Sequence, residues 1–272
     1  MEKKFILTDE FVINGFGVKL FRIKCVKSFK YANEGDLGGF IEKDGNLDQS
    51  GNAWVYGDAQ VSGDARVYGD AWVYGDAWVY GNAQVSGDAQ VSGDAWMYGD
   101  ARVFGNARVF GDAQVFGNAQ VFGDAWVYGD ARVFGNARVF GDAWVYGDAQ
   151  VSGDAQVYGN AQVSGDAWVY GNARVFGDAQ VFGDARVYGN ARVFGNAKIE
   201  NNDSHCGFDC FGSANRHTHA YLTKGNKVEI TCGCFKGSIE EFEKKVEETH
   251  SGTLYEKQYK AIIDVIKIKF GL

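Results

Sequence analysis

Gly57-Asp58-Ala59-Gln60-Val61-Ser62 is one copy of a six-residue unit, Gly-Asp/Asn-Ala-x-Val-x, that residues 51–200 repeat 25 times without an insertion. Ala and Val alternate with two variable positions, which is the pattern of a short strand with one face buried. Gly-Asp and Gly-Asn are turn dipeptides, because both residues tolerate positive φ. Each unit therefore reads as one strand plus one corner. Such a strand is too short to stand alone, and six residues cannot close a hairpin. Three units, 18 residues, close a triangular coil that stacks on copies of itself. The 25 units predict an all-β solenoid of about eight coils, roughly 40 Å long at a strand spacing of about 4.8 Å. Its core is layers of Ala and Val, and only Met97 and Ile199 replace Val at its position.

The flanks are not repetitive. Residues 1–50 read as an N-terminal β cap, with a strand over 18–26 followed by the turn-rich Gly35-Asp36-Leu37-Gly38-Gly39. Residues 201–272 read as a small α+β C-terminal module. It opens with a polar, cysteine-bearing loop and continues as a hairpin, 220–223 and 228–235 across a turn at 224–227. Two helices follow. Ser238 and Glu241 form a capping box, and Ile239, Phe242 and Val246 keep helical spacing until Ser251-Gly252. Tyr255, Tyr259, Ile262, Ile263 and Ile266 make a second apolar stripe. That stripe is expected to pack on the end of the solenoid, where stacked coils expose backbone.

Composition narrows the function classes. The 38 glycines would suggest a flexible linker or collagen, but their period of six makes them architectural. A net charge of −8 argues against a general binder of nucleic acid or anionic membrane. No apolar run is long enough to cross a bilayer. Residues 1–7 are short and charged, unlike a signal peptide. The five cysteines, an odd number, fit a reducing compartment. A cytoplasmic location, in a bacterium or a phage-infected cell, is the expectation.

Val-x-Gly-Asp-Ala-x resembles the hexapeptide signature of left-handed β-helix proteins, aliphatic at the first position and small at the fifth. It departs in placing Gly at the third position, where many transferases have it at the second. The resemblance implies a single-stranded left-handed β-helix. Gly35-Asp36-Leu37-Gly38-Gly39-Phe40-Ile41-Glu42, running into Gly51-Asn52-Ala53-Trp54-Val55-Tyr56, looks like the lead-in of hexapeptide-repeat proteins often labelled transferases. Cys232-Gly233-Cys234-Phe235-Lys236-Gly237, through Glu241-Phe242 and Thr249-His250 to Tyr259, looks like a C-terminal module common in phage and prophage proteins. A homo-oligomer, trimer or dimer, is also what the resemblance implies.

Folding the repeat at 18 residues sorts its variable positions into columns. One column holds Arg66, Gln84, Arg102, Gln120, Arg138, Gln156, Arg174 and Arg192. Beside it stand Tyr68, Ser86, Phe104, Phe122, Phe140, Tyr158, Phe176 and Phe194. A second face carries Trp54, Trp72, Trp126 and Trp144, and the third carries Trp78, Trp96 and Trp168. Alternation points these side chains outward. Two readings are open: rings that stabilise one another by stacking, or an apolar stripe that meets a partner. On the second reading the contact residues are Phe104, Phe122, Phe140, Tyr158 and Phe176, with Arg102, Arg138, Arg174, Trp126 and Trp144. One corner column is wholly acidic, from Asp58 and Asp76 to Asp166 and Asp184. Its carboxylates either accept turn amides or bind cations such as Ca²⁺.

No catalytic set emerges. Acyltransferases of the resembling fold use a histidine base near a coil edge, yet residues 51–200 contain no His and no Cys. His205, His217, His219 and His250 all lie beyond the repeat. Zinc could draw on Cys206, Cys210, Cys232 and Cys234 with the nearby histidines, but Cys-x-Cys is a poor ligand spacing. Cys232 and Cys234 would alternate along a strand and face one side. No cofactor is expected. The reading is a non-enzymatic scaffold of phage or prophage type that binds a protein partner or its own copies, such as an inhibitor of a host defence protein. A virion or assembly component and an acyltransferase-like enzyme are the alternatives.

Overall fold

The structure, a computed structural model, describes residues 3–272; Met1 and Glu2 of the charged N-terminal stretch lie outside the described residues. Each repeat contributes one short strand, from Trp54–Val55 to Lys198–Ile199, and all but the last three pair in parallel with the strand 18 residues on. Gln90 faces Arg108 and Val91 faces Val109, for example. The strands sort into three sheets, one per side of the triangle. Main-chain bonds hold successive coils together, as where the Arg102 amide donates to the Ala119 carbonyl at 2.9 Å. The Ala and Val side chains of every coil point inward and are buried. Each corner turns on a glycine at positive φ. At Gly123, φ is +72° and an added Cβ would lie 3.0 Å from the Gly141 nitrogen. The corner thus needs glycine both for its dihedral and for the close approach of the next coil.

The solenoid begins before the repeat does. Strands β1 (Phe5–Ile13), β2 (Lys19–Cys25) and β3 (Leu37–Ile41) form an antiparallel cap. β3 then runs parallel to Gln60–Val61, with Ile41 opposite Val61, and Leu47 bridges to Val67. Non-repetitive sequence therefore builds a first turn beneath the coils predicted from the repeat, about nine in all. Gly38 and Gly39, expected as part of a turn, lie in β3. A Cβ on Gly38 would meet Ile23 and the Val55 carbonyl at 2.6 Å, and one on Gly39 would meet the Ala59 carbonyl at 2.6 Å. They are glycines because a strand lies tight on the first coil. Side chains satisfy carbonyls that have no coil below them. Asn46 Nδ2 donates to the Ala65 carbonyl at 2.9 Å, and Lys4 Nζ to that of Ala53 at 2.9 Å. Burial pushes the Lys4 ammonium down to about 8.

At the other end the module is a four-stranded antiparallel sheet, His205–Phe211, Arg216–Leu222, Val228–Cys232 and Phe235–Gly237, with helices α1 (Ile239–His250) and α2 (Leu254–Phe270). The capping box at Ser238 and Glu241 is present. The expected polar loop is instead the strand His205–Phe211. Its alternation is hidden in the sequence because one of its faces carries His205, Gly207 and Asp209 rather than apolar residues. The apolar stripe of α2 does not reach the solenoid. Ile262, Ile263 and Ile266 pack with Ile239, Phe242 and Val246 on Ala220, Ile230 and Cys232 of the sheet. The opposite face of the sheet covers the coil end, and its Tyr221 joins the solenoid core. Among the described residues, no helix is long and apolar enough to cross a membrane.

Candidate functional site

The outward rings form ladders. Phe104, Phe122, Phe140, Tyr158, Phe176 and Phe194 stack without a gap, centroids 4.8–4.9 Å apart and planes within 9°. Strand register sets this spacing: Phe104 pairs with Phe122 and Phe122 with Phe140. Arg102, Arg138 and Arg174 stand on the same face, exposed, and alternate there with Gln120 and Gln156. Among the described residues none of these three guanidinium groups is paired. The ring faces cover one another, so each ring of this row is half-buried and presents mainly an edge.

Trp126 and Trp144 are not part of that face. They stack at 5.4 Å on the neighbouring sheet, which begins four residues beyond Phe122, around the corner at Gly123-Asp124. The Arg108 guanidinium lies 4.9 Å from the Trp126 ring. Trp54, in the same column, points outward but is buried, because Phe5 and Phe29 of the cap cover it.

The corners differ. Where Asn precedes Asp by one coil, its amide donates to the carboxylate above, as Asn106 does to Asp124 at 2.8 Å and Asn160 to Asp178 at 3.0 Å. The all-Asp column has no such donor. Asp58 lies 3.5 Å from Arg22. The carboxylates of Asp76, Asp94, Asp112, Asp130, Asp148, Asp166 and Asp184 are exposed, and among the described residues they accept no hydrogen bond. The expected capping of turn amides by this column is therefore corrected. Glycine already shapes the corner, and the Asp side chains extend into water.

The four cysteines do not come together. Cys232 is buried and ends its strand, whereas Cys234 is exposed in the turn made by Gly233 at φ +61°. That turn breaks the alternation expected to put both on one side. Cys206 and Cys210 lie on another strand, Cys210 exposed. Among the described residues, no group of three or more His, Cys, Asp or Glu side chains is placed to hold a metal ion.

The structure instead gathers three of the histidines. His205, His217 and His219 share the sheet face that caps the solenoid. His205 Nδ1 is 3.0 Å from His219 Nε2, and His217 Nδ1 is 2.7 Å from Asp209 Oδ1. Gly207 leaves room for this, since a Cβ there would lie 2.7 Å from the His217 ring. Burial pushes His205 down to about 4, with Lys269 adding to the shift, and holds His219 well below the usual imidazole range. Among the described residues, His205 Nε2 and His217 Nε2 are buried and make no hydrogen bond of good geometry. Beside them is a cavity of about 490 Å³, bounded also by Tyr170, Arg186, Tyr188 and Lys269. The spacing His217-x-His219 was the one signal in the sequence for this cluster; the folding of His205 and Asp209 onto it was not.

No curated protein matches the chain. The β-solenoid repeat model of the YdcK family matches it in eleven windows from residues 59–75 to 185–200, which between them span half of its length. With three parallel sheets wound from that repeat, the chain belongs to the YdcK β-solenoid repeat family.

Proposed function

We propose that the solenoid is a non-enzymatic scaffold that meets a protein partner, or a second copy of itself, along the face of Phe104, Phe122, Phe140, Tyr158 and Phe176. The observation that carries this reading is the unbroken stack of rings beside the unpaired Arg102, Arg138 and Arg174. Ring edges and guanidinium groups at fixed spacing suit a protein surface that offers backbone carbonyls, carboxylates and aromatic rings. Aromatic and Arg side chains are the groups that dominate binding energy in such contacts. Trp126 and Trp144 extend the surface around the corner. A phage or prophage origin and inhibition of a host defence protein rest on the resemblance of the flanks alone. A cytoplasmic location is proposed from the odd number of cysteines, which fits a reducing compartment.

Phe122→Arg tests the reading. It places a charge in the middle of the row without touching the Ala and Val core. With the fold intact by circular dichroism, the variant is expected to lose its oligomer in light scattering, or to lose at least about tenfold in affinity for a partner retained by the wild type. An unchanged mass together with unchanged retention of the same partner would sink the proposal for this face.

A further inference from the structure

The three faces of the solenoid end differently at the C-terminal side. The last outward ring of one face, Phe194, has Lys236 Nζ over it at 4.7 Å. The last ring of another, Phe182, has Lys198 Nζ at 5.5 Å. On the third face Tyr188 stacks on Tyr170 at 5.4 Å, planes 17° apart, and among the described residues no ring or cation lies over its other side. Tyr188 is 55% exposed and borders the 490 Å³ cavity. This ladder stops one rung short of its cover.

The same cavity collects unsatisfied polar groups. The Arg186 guanidinium has no partner among the described residues, and Lys269 Nζ has only Asp203, a fully solvated carboxylate 3.5 Å away. His205 is 7% exposed; among the described residues its Nε2 makes no hydrogen bond of good geometry, and the main chain of Arg186 lies near its ring. His217 is held at Nδ1 by Asp209, and its Nε2 is buried against Gly207. Buried ring nitrogens without a partner are rare in folded proteins and call for an explanation. Arg186 and Lys269 both line the cavity, and the one carboxylate of the lining, Asp209, is engaged by His217. A cavity of this size holds a small molecule.

We propose that this cavity binds a small planar aromatic molecule carrying an oxyanion, the chemistry shared by a nucleoside monophosphate and an aromatic carboxylate. The ring takes the missing rung on Tyr188, as bases stack on aromatic side chains. The oxyanion sits between Arg186 and Lys269, where a guanidinium offers paired donors. The buried rings of His205 and His217 form part of the wall behind the ligand. The site lies at the end of a different face from the Phe104–Phe176 row, so its failure and the failure of that surface are independent.

Calorimetric titration of the whole protein with AMP, adenosine, ribose 5-phosphate and 4-hydroxybenzoate tests it. AMP or 4-hydroxybenzoate is expected to bind one per chain, at least about tenfold more tightly than adenosine or ribose 5-phosphate, each of which carries only half of the recognised chemistry. Which of the two binds distinguishes a nucleotide from an aromatic acid. Arg186→Ala and Tyr188→Ser are expected to weaken that binding about tenfold each, the size of one lost stack or charged contact. Tyr68→Ser, at the opposite end of the solenoid, is expected to leave it unchanged. Arg186 and Tyr188 are exposed, so neither change opens the core, and Lys269→Ala on the outside of α2 gives a third independent variant. Absence of saturable binding for all four probes into the millimolar range overturns the proposal. So does binding that the three cavity variants leave intact.

Discussion

At Gly123 two constraints coincide in one atom that is missing. A side chain there would adopt a left-handed backbone and press on the next coil at Gly141. Gly123→Ala is expected to destabilise the fold by about 1–3 kcal/mol, read as a lower urea midpoint. Gly45→Ala is the matched control. Gly45 has no positive φ, and a methyl group added there would meet nothing within 4 Å, so its midpoint should barely move. The corner Asx residues obey a looser rule. Asn106 supplies an amide to Asp124, whereas the carboxylates of the Asp76–Asp184 column stand unpaired in water, where screening weakens their repulsion. Position by position, the repeat is strict where main chain meets main chain and tolerant where side chains meet solvent.

An element of this solenoid is a column rather than a strand. A strand of two to four residues has little stability of its own, but in an unbroken row its outward ring is clamped between the rings one coil below and above. Phe122 stacks on both Phe104 and Phe140 at 4.8 Å. Phe122→Ser removes two stacks and is expected to cost about 1–3 kcal/mol, seen as a lower melting temperature. The histidine-bearing sheet behaves differently. Burial holds His205 at about 4, below the 6.5 of an exposed ring. Between those values the unfolded chain binds more protons than the folded one, so stability falls as pH drops from 6.5 towards 4. The loss reaches on the order of 3 kcal/mol at the lower end. Denaturation midpoints at about pH 7 and about pH 4.5 should show it, and His205→Asn should reduce the difference between them.

The whole molecule is a one-dimensional stack with two unlike ends. Each coil touches chiefly its neighbours, so stability is close to a sum over coils and caps. Deleting residues 123–140, one full coil, keeps every later residue on its own face and should leave melting nearly unchanged. Deleting only residues 123–128 turns everything beyond by one face. Ala and Val still meet, and the outward rings are re-sorted: the row of Phe104 and Phe122 continues with Tyr146 and is interrupted at Ser164, while Phe140, Tyr158, Phe176 and Phe194 land above Tyr80, Tyr98 and Phe116 and extend that row instead. Both deletions are therefore expected to melt within a few degrees of one another. A six-residue deletion that melts far below the eighteen-residue one would show that one particular face, and not the sum over coils and rings, holds the solenoid.

One repeated unit dictates the coil. Period, buried positions, corner glycines, ladders and the columns of Arg102, Arg138 and Arg174 are all legible in the chain, because each contact there is between residues a fixed 18 apart. The capping box at Ser238 is legible for the same local reason. The two ends of the stack took their form only in three dimensions. Gly38 and Gly39 read as a turn until the first coil is seen against them. Trp54 reads as exposed until Phe5 and Phe29 cover it. The strand His205–Phe211 reads as a loop because its polar face is turned to a cavity and not to an apolar core. Residues far apart in the chain meet at those ends without any period to announce them, and the open rung on Tyr188 exists only because the last coil stops where the histidine sheet begins.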